Sequence, residues 1–103
     1  MNFYEFASWL NSYLINKGYS LNTDNENRNY YLDVFSYFWI SYKKHIIYFH
    51  REYSSLNWAY MDFNDNPNTE VYMNLFKKLA DEFIIEEKQR IMRVKMRKLN
   101  DDF

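Results

Sequence analysis

A chain of 103 residues and 12.9 kDa carries 48% hydrophobic residues, no cysteine, and a net charge of only −1. That length supports one small domain with one core, and the composition excludes a disordered chain, a disulfide framework and thiolate chemistry. No run approaches the roughly 18 consecutive apolar residues of a membrane span, and the opening Met1-Asn2-Phe3-Tyr4-Glu5-Phe6 lacks the features of a signal peptide, so a soluble cytoplasmic protein is expected.

The first element is a helix over about 2–17. Phe3, Phe6, Leu10, Tyr13, Leu14 and Lys17 follow the spacing of one helical face, and Gly18 stands where a left-handed C-terminal cap is wanted. Residues 20–29 are polar and Asn-rich and read as a loop. From Tyr30 the period changes to two. Strands are expected at about 30–42, 46–53 and 57–63, joined by Tyr42-Lys43-Lys44-His45 and Ser54-Ser55-Leu56-Asn57.

Alternation divides this three-stranded sheet into two faces. One would hold Leu32, Val34, Phe38, Ile40, Ile47, Phe49, Ala59, Met61 and Phe63, a core set. The other would hold Tyr31, Phe35, Tyr37, Trp39, Tyr48, Trp58 and Tyr60, with Asp33, His50, Glu52 and Asp62 among them. Thirteen of the 23 aromatic residues fall between Tyr30 and Phe63. A small sheet needs only one buried face, so aromatics on both suggest a surface built to meet a partner.

The last element is a helix over about 67–99, capped by Asn66 with Pro67 in its first turn. Tyr72, Phe76, Leu79 and Phe83 have core spacing, and Ile85, Met92, Met96 and Leu99 continue an apolar stripe. At roughly 1.5 Å per residue such a helix outreaches the sheet, so its distal half projects past the body or folds back over it. The fold class expected is therefore α+β, in the order α-β-β-β-α. That order resembles double-stranded-RNA-binding domains in topology. Those domains place a basic cluster where this helix opens Pro67-Asn68-Thr69-Glu70-Val71-Tyr72, and Lys77 and Lys78 come only later.

Charge is unevenly placed. Lys88, Arg90, Arg93, Lys95, Arg97 and Lys98 form a basic segment without an acid, which leaves about −7 on the rest of the chain. The segment reads first as a solvated helix end, then as a phosphate-binding stretch, then as a partner helix.

Chemistry is sparse by comparison. His45 and His50 are the only histidines and would face opposite sides of a strand, where metal ligands must converge. One glycine cannot build a phosphate loop, and no nucleophile turn or carboxylate pair stands out. No enzyme, cofactor or metal is expected.

The reading that results is a non-enzymatic protein-binding module. Its expected surface is Tyr37, Trp39, Tyr48, Trp58 and Tyr60 with Asp33, Glu52 and Asp62, whose acids would suit a basic, nucleic-acid-handling partner. Codon bias toward Asn, Tyr, Phe, Ile and Lys suggests a low-GC bacterium or its phages, hence an accessory protein that inhibits a host or defence factor. The alternatives are nucleic-acid binding through Lys88, Arg90, Arg93, Lys95, Arg97 and Lys98, and a homodimer formed by the outer face or the last helix.

Overall fold

Asn2 starts the first helix, α1 (Phe3–Asn16), through a reciprocal capping box: its side chain accepts from the Glu5 amide at 2.9 Å, while Glu5 Oε1 accepts from the Asn2 amide at 3.2 Å. The helix ends as the glycine implies. Gly18 lies at φ 103°, and the amides of Gly18 and Tyr19 donate to Ile15 and Leu14 carbonyls at 3.1 and 3.0 Å. The structure, a computed structural model, describes the backbone of residues 1–33, 35–51 and 54–101 and the side chains of 1–33, 35–49 and 60–97.

The sheet has five described strands rather than three: β1 (Ser20–Asp24), β2 (Asn27–Leu32), β3 (Phe35–Ser41), β4 (Ile46–Arg51) and β5 (Ser54–Asp62), all antiparallel in sequence order. Two departures account for the difference. The expected loop 20–29 forms β1 and the start of β2, a hairpin turning at Asn25, whose φ of 53° an asparagine tolerates. The expected strand 30–42 is itself a hairpin. The chain turns after Leu32 with Asp33 at φ 56° and returns at Phe35, the register partner of Leu32. The third connection also comes earlier, with β5 starting at Ser54, and Phe63 leaves the sheet to begin a 3-10 turn over Phe63–Asp65. Val34 and Glu52 lie outside the described residues. The turn at Tyr42-Lys43-Lys44-His45 is as expected.

Both helices pack on one face. Tyr30, Leu32, Phe38, Ile40, Ile47, Phe49 and Met61 point inward to Phe3, Phe6, Leu10 and Leu14 of α1 and to Phe76, Ala80 and Phe83 of α2 (Thr69–Asp101). Phe38 sits at the centre, its ring 5.5–6.4 Å from those of Tyr19, Phe49, Phe76 and Phe83. Buried hydroxyls find partners: Tyr30 donates to Asn11 Oδ1 at 2.6 Å and Tyr19 to the Ala80 carbonyl at 2.8 Å.

Residue Asn68, not Asn66, caps α2, accepting from the Val71 amide at 3.4 Å. Asn66 instead takes a left-handed φ of 51° closing the 3-10 turn. From Thr69 the helix is continuous to Asp101, about 50 Å at 1.5 Å per residue. Its buried positions end at Glu87, and residues 91–97 are all exposed, so the distal part projects beyond the sheet in a molecule 57 Å long and 27 Å wide. No helix among the described residues is long and apolar enough to cross a membrane.

Candidate interaction face

A β-bulge decides which aromatics reach the open side of the sheet. Tyr30 pairs with Phe38 but Tyr31 pairs with Ser36, so Tyr37 is an extra residue on β3 and the alternation before it is inverted. Tyr37 therefore lies inside. It stacks on Phe83 at 4.7 Å and its hydroxyl lies 3.3 Å from Glu87 Oε2. Desolvation, then the adjacent carboxylate, pushes its pKa up to about 12. Phe35 follows it to the helix side, where the Arg90 guanidinium covers its ring at 4.8 Å.

The turn after Leu32, with Asp33 at φ 56°, removes Asp33 from the expected surface. Its carboxylate accepts from Arg90 Nη2 at 2.8 Å, while Arg90 also bonds Glu87, whose side chain is only 8% exposed. Charge-assisted bonding, first of all to Glu87, raises the Arg90 pKa. Arg90 thus belongs to a structural cluster and is the member of the basic segment tied to the body. Lys88, Arg93, Lys95 and Arg97 are exposed, and the Lys98 side chain lies outside the described residues.

What remains outside is a cross-strand row. Asn29, Trp39, Tyr48 and Tyr60 are successive register partners across β2, β3, β4 and β5. The Trp39 and Tyr48 rings approach to 4.4 Å, and Tyr60 is 49% exposed. Partial burial raises the Tyr48 pKa. None of Tyr31, Trp39, Tyr48 or Tyr60 belongs to the core cluster. Trp58 has the same strand parity as Tyr60, but its side chain, like that of His50, lies outside the described residues. Asp62 ends the row's flank and is engaged locally, accepting from the Asn64 amide at 2.9 Å.

Beside Trp39 an open cleft of about 620 Å³ runs between the β1–β2 and β3–β4 turns, lined by Asn25, Asn27, Ser41, Lys43 and Lys44 among others. The face as a whole thus sets Tyr, Trp and Asn among charges of both signs, Glu26 and Asp62 with Lys43 and Lys44. This mixture could not be read from alternation, because Asp33 sits in a turn at φ 56° rather than in a strand and the Asn-rich hairpin had no apolar signal. His45 occupies the β3–β4 turn and stacks on Phe3 at 4.5 Å. Among the described residues no group of three metal-ligating side chains converges. The chain matches no protein-family model, no curated protein and no solved structure.

Proposed function

We propose that this protein is a protein-binding module whose contact surface is the open sheet face centred on Trp39, Tyr48 and Tyr60. The observation that carries the reading is that row itself: three large amphipathic rings in register on the side of the sheet that the helices leave uncovered. Such rings supply contact area at low ordering cost, and a surround of Asn and Ser supplies adaptable hydrogen bonds, the composition that antibody paratopes use for protein surfaces. The cleft beside Trp39 offers a socket for a partner side chain.

A face of mixed charge shifts the weight from electrostatics to aromatic anchoring. With Asp33 drawn to Arg90 and with Lys43 and Lys44 beside Trp39, Asp62 is the one expected acid left on this face among the described side chains, and mimicry of nucleic acid toward a basic cleft is weakened. Occlusion of a host protein by a phage or mobile-element antagonist is the setting that small size and A/T-rich coding suggest.

The test is an affinity capture, with and without nuclease, run in parallel on wild type, Tyr60→Ala and Asp33→Ala. The expected result is a protein retained after nuclease by wild type and Asp33→Ala and lost by Tyr60→Ala. Retention by all three, or recovery of nucleic acid alone, overturns the reading.

A further inference from the structure

On α2 the residues facing away from the sheet repeat in sevens. Val71, Lys78, Ile85 and Met92 recur at that interval, and Gln89 and Met96 alternate with the last two at spacings of four and three. This is the 3.5-residue period of a helix–helix seam. It lies roughly opposite the buried side chains Phe76, Ala80, Phe83 and Glu87, so the body does not obstruct it. Val71, Ile85, Met92 and Met96 are 59%, 56%, 63% and 62% exposed, an unusual degree for four apolar side chains on one line.

From this geometry we infer that α2 is a self-association helix, packing antiparallel against α2 of a second copy across a crossing near residue 90. Charge selects both the occupant and the direction. A parallel pair would set Lys88, Arg90, Arg93, Lys95, Arg97 and Lys98 against themselves. An antiparallel pair lays the basic distal stretch of each copy along the acidic stretch of the other, Arg93 beside Glu86 and the far cations beside Glu82. The two-fold axis then makes every contact twice: Ile85 meets Met96, and Gln89 meets Met92. Lys88 and Lys95 are left opposed at the rim, where solvent screens them. In this assembly the two bodies lie on opposite sides of the helix pair with both Trp39 faces outward. A dimer therefore presents two copies of the sheet surface, and tethered partners gain avidity.

The full chain should sediment at about twice 12.9 kDa. Met92→Glu, at an exposed position, should keep the far-UV spectrum and weaken association at least about 100-fold, since two apolar contacts are lost per dimer; Met96→Glu is the second variant. Val94→Glu makes the same charge change on the helix side facing away from the seam, at a residue 47% exposed, and should leave the dimer intact. Because the chain has no cysteine, direction is readable by cross-linking. Gln89→Cys mixed with Met92→Cys should form the mixed disulfide in preference to either symmetric one. A monomer at every concentration, equal loss with Val94→Glu, a symmetric Met92→Cys disulfide, or a dimer lost only with Tyr60→Ala would each overturn the inference. The last of these would place self-association on the sheet and count against the proposed function as well.

Discussion

Arg90 Nη2 reaches Asp33 Oδ2 at 2.8 Å, joining the second hairpin turn to the point where α2 leaves the sheet. The two side chains are 39% and 51% exposed, so this bridge is solvent-screened and contributes little by itself. Arg90 has a second role that Asp33 lacks, as the cation beside the buried Glu87 carboxylate. Removing Arg90 strands that carboxylate, whereas removing Asp33 strands nothing buried. Arg90→Ala should therefore lower the melting temperature clearly more than Asp33→Ala, and the double variant should add little to Arg90→Ala alone. Equal shifts from the two single variants in thermal melts would show that Glu87 does not depend on Arg90.

Phe38 illustrates how much of this fold rests on ring packing. Its side chain is fully buried among four aromatic rings contributed by β4, α2 and the segment after α1. Phe38→Ala removes those contacts and leaves a cavity, a loss of about 3–5 kcal/mol. Against a total of roughly 5–15 kcal/mol for a domain, that is a large share of the stability. Urea titration of the variant should show a midpoint well below that of wild type. Phe38→Leu, which fills part of the space, should fall between.

Much of this core was legible in advance. Helix α1 announces itself through its cap, its spacing and Gly18, and the inward set Leu32, Phe38, Ile40, Ile47, Phe49 and Met61 follows from period two. Strand β1 was not legible, because Ser20-Leu21-Asn22-Thr23-Asp24 is an exposed edge held by backbone pairing, with no apolar alternation to mark it. The turn at Asp33 was hidden between apolar residues without glycine or proline. The bulge at Tyr37 is a register event, invisible to any count along one strand; with the turn at Asp33 it put Asp33, Phe35 and Tyr37 on the helix side instead of the expected surface.

Buried tyrosines make alkaline pH a sensitive probe. Tyr30 and Tyr37 have pKa values pushed up to about 12, first by desolvation, and Tyr19 is raised for the same reason. In the unfolded chain each ionises near about 10, so above that pH the unfolded state binds fewer protons than the folded one. The stabilisation is fully present below about pH 10 and is lost as pH rises through about 12. The urea midpoint should stay level from neutral to about pH 9 and then fall, with tyrosinate absorbance rising in step with unfolding. Tyr30→Phe should make that fall shallower. A midpoint indifferent to alkaline pH would show that these hydroxyls reach water in the folded state.

Tyr60 separates surface from core on the same strand. Its neighbour Met61 is fully buried, while Tyr60 is half exposed at the end of the Trp39–Tyr48–Tyr60 row. Truncating an exposed ring on a strand removes a cross-strand pair worth roughly 0.2–1 kcal/mol, so Tyr60→Ala should shift the urea midpoint only slightly. If the row is the anchor of an interface, the same change should weaken partner binding by at least about 30-fold, the effect of losing a hot spot of roughly 2 kcal/mol. Trp39→Ala should weaken binding as much with a larger stability cost, because it also uncovers Tyr48 at 4.4 Å. Titration calorimetry against the captured partner, paired with denaturation of each variant, reads both quantities. Binding that tracks stability across the variants, rather than position in the row, would mean these rings hold the sheet together and the partner binds elsewhere.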